Sequence, residues 1–208
     1  MRVEIYSTEE QQVDAIKQFW KDYGSSIAIG AVVGLGGLFG WNTYSDMKVK
    51  SAEQASESFE QLANNATNPA VFIEGAGNFV KEHDQKGYQA LLELMTAKAA
   101  VDAGDLTKAE DAYKRIIVAK PGASIDMVAT IRLARLQAEQ GNVGTALQTL
   151  ESVTDTAFVS QREELKGDFL VRQGDLVSAK QAYQTAIDNG GALTNPALTI
   201  KLDNLNKA

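Results

Sequence analysis

AVDAGDLTKAEDAYKRI at 100–116, AEQGNVGTALQTLESV at 138–153 and VRQGDLVSAKQAYQTAI at 171–187 align without gaps on a Gly-Asp or Gly-Asn pair. The anchoring glycines, Gly104, Gly141 and Gly174, lie 37 and 33 residues apart. Five residues after each comes an alanine (Ala109, Ala146, Ala179), and nine after comes Tyr113, Leu150 or Tyr183. Each position has a packing reason. The glycine adopts the left-handed backbone that stops a helix, the Asp or Asn caps the next helix, and the alanine lets two helices approach closely. Around the anchors Ala, Leu, Gln, Glu and Lys dominate and alternating strand patterns are scarce, so the repeating unit is a hairpin of two helices.

This pattern resembles the tetratricopeptide repeat, a two-helix unit of about 34 residues. Pro121 stands where that family ends a repeat, and Gly167 and Ala186 take small helix-contact positions in the third unit. In the second unit those places hold Ala134 and Val153. Glu93, Thr130 and Glu163 replace the usual aromatic residue of the first helix, so the repeats are degenerate. Segments 51–65, 69–84 and 89–103 read as further helices, with Val71, Phe72, Phe79 and Val80 as core candidates, and 194–206 reads as a cap. Mapping the family's concave wall onto this chain selects Leu91, Leu94, Lys98 and Val101, then Val128, Ile131, Arg135 and Ala138, then Gln161, Glu164, Asp168 and Val171. The first two groups are the more apolar, and their members other than Ala138 form the candidate partner-binding face. The lysine-asparagine clamp with which some members hold carboxy-terminal carboxylates is not present.

Toward the amino end the character changes. No charge occurs between Asp22 and Asp46, and SSIAIGAVVGLGGLFGWNTY at 25–44 is long enough, at about 1.5 Å per residue, to cross a hydrocarbon core as a helix. Phe19, Trp20 and Tyr23 precede it and Trp41 and Tyr44 close it, as side chains at two headgroup layers would. A cleaved signal would carry a basic leader and a small-residue exit, whereas this leader is acidic and the exit is Trp41-Asn42-Thr43-Tyr44. Ser26, Gly30, Gly34 and Gly37 share one side of the helix, a small-residue groove suited to packing against another membrane helix. Flanking lysines are nearly balanced. The short leader and large carboxyl part favour a cytoplasmic amino terminus. Residues 7–23 read as an amphipathic helix, with Thr8 and Gln11 as a capping pair and Val13, Ile16, Trp20 and Tyr23 on one face. The expected organisation is all-α, in three parts: a cytoplasmic amphipathic tail (1–24), a single transmembrane helix (25–44) and a tetratricopeptide-like helical-hairpin solenoid (45–208), translocated across the membrane.

Composition narrows the function. The 208 residues contain no Cys and one His, against disulfide frameworks, cysteine nucleophiles and cysteine or multi-histidine zinc sites. A formal charge of −7 without a basic cluster argues against nucleic acid. His83 sits beside acids at an expected helix end, where a surface imidazole is favourable, and the membrane glycines lack the spacing of a dinucleotide fold. No catalytic, metal or cofactor site is expected. The mean hydropathy of −0.20 averages one apolar helix with polar ones.

QQVDAIKQFW at 11–20, a glycine-rich span ending in GLFGW at 37–41 and IRLAR at 131–135, ahead of degenerate repeats, resemble the YfgM family of bacterial inner-membrane proteins. The resemblance implies a non-enzymatic, chaperone-like periplasmic scaffold, ancillary to the Sec translocon (SecYEG). Its implied partners are a PpiD-type membrane-anchored periplasmic chaperone and nascent or unfolded envelope proteins. Another reading is an inner-membrane adaptor or regulatory protein whose cytoplasmic helix binds a signalling partner.

Overall fold

A computed structural model describes residues 9–66, 68–122 and 124–207. Ten helices follow one another, with no strand among the described residues: α1 (Glu9–Asn64), α2 (Pro69–Glu82), α3 (Lys86–Asp102), α4 (Leu106–Ala119), α5 (Ile125–Glu139), α6 (Val143–Glu151), α7 (Val159–Gln173), α8 (Leu176–Asp188), α9 (Gly191–Thr194) and α10 (Ala197–Lys207), with a 3-10 turn at Thr156–Phe158. The chain is all-α, and α1 is long and apolar enough to cross a membrane once.

The chain divides into two units, the first ending at Gln54 and the second running from Ala55. In the first, the tail helix, the apolar span and the polar turns beyond it are one continuous helix, because no proline occurs before Pro69 and glycine alone does not break an internally bonded backbone. Every residue from 25 to 54 is exposed, so the apolar side chains Val32, Leu35 and Phe39 have no protein core of their own. Phe19 and Tyr23 pair at 5.3 Å between ring centroids, and Trp41 and Tyr44 at 6.4 Å. Thr8, one half of the expected capping pair, lies outside the described residues.

In the second unit, α3/α4, α5/α6 and α7/α8 form three hairpins. Gly104, Gly141 and Gly174 end the first helix of each with φ of 77°, 85° and 83°. The next N–H turns back to the carbonyl five residues earlier, Asp105 to Ala100, Asn142 to Gln137 and Asp175 to Leu170, at 2.8–3.0 Å. The Asp105 and Asp175 carboxylates then cap α4 and α8 by accepting from Lys108 N and Ser178 N, both at 3.0 Å. Asn142 makes no such side-chain bond to α6. Ala109, Ala146 and Ala179 are each fully buried, and Tyr113, Leu150 and Tyr183 lie in the core beside them. The end of α1 and α2 make a further antiparallel pair, in which Gly75 faces Leu62 and Ser58 faces His83. Phe72, Phe79 and Leu92 fill the space between this pair and α3.

The cores form a chain rather than one centre. Tyr113 and Ile116 of α4 meet Leu133 and Leu136 of α5, and Ile131 and Ala134 on α5 meet Leu165 and Phe169 on α7. Such a stack leaves its last hairpin needing cover, which Leu198 of α10, fully buried against Tyr183 and Ala186, supplies. The segment expected as a cap, 194–206, is almost all α10, which starts at Ala197 because Pro196, lacking an N–H, separates it from α9. The positions that depart from the repeat pattern find polar uses. Glu93 binds Arg115 through two bonds of 2.8 Å, Thr130 Oγ1 donates to Asp126 O, and Glu163 pairs with Arg162.

Candidate functional site

The wall inferred from the repeat register is carried by α3, α5 and α7. On α3, Leu91 and Val101 are exposed at 37% and 40%, Lys98 is exposed and pairs with Asp102 one turn on, and Leu94 is half-buried against the core. Leu91 joins Tyr88 and, across the gap, Ile125 at the start of α5 around an open cavity of about 250 Å³. On α5, Arg135 is exposed and Val128 half-buried.

Ile131 departs from the expected wall. It is only 2% exposed and belongs to the core with Leu165 and Phe169. The reason is position: α5 is the central helix of the stack, with α4 and α6 on it and α7 closing its far side, so residues from Ala129 to Ala138 are buried on nearly every face. Ala138 is likewise buried. Of the expected wall, Leu91, Lys98, Val101 and Arg135 are therefore exposed and Leu94 and Val128 half-exposed.

The third repeat's inward acids are occupied by the chain itself. Lys201 Nζ of α10 donates to Glu164 Oε1 at 2.8 Å and to both Asp168 oxygens at 2.8 and 2.9 Å. Asn195 Nδ2 donates to Glu164 Oε1 at 2.7 Å, and the Tyr183 hydroxyl donates to Asp168 Oδ1 at 2.7 Å. Burial works against the Lys201 ammonium, but its hydrogen bonds to Asp168 and Glu164 outweigh that and raise its pKa. Burial, then the Asp168 hydrogen bond and charge, push the Tyr183 phenol well above its ordinary value. Gln161 and Val171 remain exposed at the two ends of α7. Lys201 and Asn195 were not identifiable from repeat spacing, because they lie 31–37 residues from their partners and outside any repeat.

The membrane-span positions Ser26, Gly30, Gly34 and Gly37 are exposed on α1, and the three glycines have open space where a Cβ would stand. His83 ends α2, with Nε2 3.1 Å from Ser58 Oγ and its ring 4.7 Å from that of Phe79. It ties α2 to α1. Among the described residues no group of three or more His, Asp or Glu side chains is placed to hold a metal.

The family profile described as tetratricopeptide repeat-like domain matches residues 17–207. The ancillary SecYEG translocon subunit of Aggregatibacter actinomycetemcomitans is 34% identical over 198 residues, 95% of this chain and 97% of that protein. The Escherichia coli (strain K12) protein of the same name is 28% identical over 208 residues, covering 98% and 99%. The one from Haemophilus influenzae is 28% identical over 198 residues, covering 95% and 97%. Three near-regular helical hairpins behind one long apolar helix agree with these full-length matches, and the chain belongs to the YfgM family of tetratricopeptide repeat-like proteins.

Proposed function

We propose that this protein is a non-catalytic, single-pass inner-membrane scaffold, an ancillary subunit of the Sec translocon that assists newly translocated envelope proteins. In this reading residues 1–24 face the cytoplasm, 25–44 cross the membrane and the repeat unit works in the periplasm. The observation that carries it is the partly apolar wall on α3, where Leu91 and Val101 stay in solvent although core positions of the same helix are filled. Exposed aliphatic side chains beside Lys98 and Arg135 suit weak contact with unfolded segments or with a chaperone surface. The membrane helix supports this: Gly30, Gly34 and Gly37 leave an open groove on α1 for a channel helix. Anchoring beside the channel raises the effective concentration of emerging chains, so individually weak contacts suffice. The names of the relatives point to SecYEG as the membrane partner, and a PpiD-type chaperone is the periplasmic one we expect.

Photo-crosslinking in living cells tests it. A crosslinker at Gly34 is expected to capture SecYEG subunits, and one at Leu91 or Val101 a periplasmic chaperone or a chain in transit. Absence of both classes of adduct, with the protein correctly inserted, overturns the proposal.

A further inference from the structure

The closing helix α10 and the seat it fills are matched residue by residue. Leu198 is fully buried against Tyr183 and Ala186, with Leu202 and Leu205 partly buried beside it. Three residues after Leu198, Lys201 Nζ donates to Glu164 and to both oxygens of Asp168. Asp168 and Glu164 are the charges that act on Lys201, so the seat selects a cation at this position. All of these partners lie on α7 or α8. The cores that join α4 to α5 and α5 to α7 contain no residue of α10. The seat is thus a helix-binding groove on a stack whose other hairpins pack without its occupant.

The link to α10 is short and jointed. Gly190 turns the chain after α8 with φ of 84°, α9 has only four residues, and Asn195 is extended (φ −137°, ψ 92°) ahead of Pro196. Proline steers the residue before it away from the helical region, so Thr194, Asn195 and Pro196 form a joint between two helices. Beside this joint the closed chain leaves apolar surface in water. Leu193 of α9 is 89% exposed, and Ile200, on the side of α10 opposite Leu198, is 62% exposed. Neither belongs to the core that seats α10.

We propose that the seat on α7 and α8 also receives α10 of a second copy of this chain, the two copies exchanging their closing helices across a two-fold axis. In the exchanged pair each seat regains the same Leu198 contacts and the same Lys201 bridge, so the exchange gives up none of them. What it adds is contact between copies at the joint, where the two links pass each other and cover Leu193. Its cost is the lost freedom of two molecules, which is reduced for chains concentrated in one membrane. The seat fits this chain's own helix: a Leu, a Lys three residues on, and an Asn six residues before that Lys whose amide donates to Glu164. This surface is separate from the wall on α3, and the proposal requires only that two copies share a membrane.

Photo-crosslinking between two full-length copies, co-expressed in the same cells with different tags, tests it. A crosslinker in place of Leu193 is expected to join the two tags. Lys201→Glu in both copies sets like charges against one another in the closed and the exchanged arrangement, and is expected to lower that adduct about tenfold or more. Glu164→Lys combined with Asp168→Lys in both copies is expected to do the same. One copy of each kind restores the adduct, because the reversed charges of helix and seat then match only across the copies. No joining of the tags in wild type, an adduct unchanged by Lys201→Glu, or capture at Leu193 of a different protein in place of the second copy overturns the proposal. So does a mixed pair that stays uncrosslinked while the purified variants keep their helix content. Where the doubly substituted seat loses helix content, Lys201→Gln and Leu198→Ala decide: each, placed in both copies, should weaken the adduct severalfold, and an unchanged adduct overturns the proposal.

Discussion

Gly167 of α7 lies directly against the ring of Tyr183 on α8, so close that a Cβ at Gly167 would overlap Cδ1 and Cε1 of the ring. The contact fixes the distance between the two helices of the third hairpin and directs the Tyr183 hydroxyl toward Asp168. Gly167→Ala gains about 1 kcal/mol of helix propensity but forces the ring or the helix to move, which costs about 1–3 kcal/mol. The net expectation is destabilisation of about 0–2 kcal/mol, read from thermal or urea unfolding of the purified chain. Gly144, exposed on α6 with open space at its Cβ, is the control, and Gly144→Ala should be neutral or stabilising.

The Lys201 bridge ties the last helix to the stack. Lys201→Met leaves Glu164 and Asp168 facing each other without a cation, at a cost of about 1 kcal/mol after allowance for solvent screening of this half-exposed cluster. Hydrogen exchange should show faster exchange throughout α10 with little change in α3 to α5. Both titrating partners have folded-state pKa values above their ordinary 10.5 and 10.0. Folding therefore favours the protonated forms. Their contribution is fully present below about pH 10 and is lost as pH rises further, so alkaline unfolding of wild type should be steeper there than that of Lys201→Met.

The hairpin turns differ in how they are capped. Asp105→Ala removes a side-chain bond to Lys108 N and should cost about 1 kcal/mol, while Asn142→Ala removes none and should cost a few tenths. Asp175→Ala should resemble Asp105→Ala. The hydrogen bonds from Ser178 hold the Asp175 carboxyl below its ordinary 3.8, so its contribution is present above that pH and fades as pH falls below it. Urea midpoints at pH 7 and pH 3 separate the three variants.

Repeat spacing assigns both Ile131 and Leu91 to the concave wall, and they have opposite physical roles. Ile131→Ala should destabilise the chain by about 2–5 kcal/mol through a core cavity. Leu91→Asp should leave the unfolding midpoint nearly unchanged and abolish crosslinks formed from the neighbouring Val101. Loss of folding in Leu91→Asp would remove the wall from the account.

The hairpins were legible because each turn repeats a local requirement: Gly104, Gly141 and Gly174 need a left-handed backbone, and Ala109, Ala146 and Ala179 need a close neighbour. The apolar span was legible from its missing charges. Less could be read where burial depends on what stands on both sides of a helix. Periodicity assigns Ile131 to a face, but the insertion of α5 between α4 and α7 buries that face too. The capture of Glu164 and Asp168 by Lys201 joins residues 37 and 33 positions apart, and no local pattern marks such a pair. Val71 and Val80 read as core together with Phe72 and Phe79, yet both are about half exposed, because Phe72 and Phe79 already fill the space against α3.

The central claim, a repeat scaffold held by one membrane helix on the periplasmic side, is tested most directly by protease added to intact spheroplasts, followed with antibodies to the tail and to α10. The account predicts that the repeats are digested without lysis, leaving a protected amino-terminal fragment that contains residues 1–44. Repeats that survive in intact spheroplasts and are cut only after lysis would contradict it.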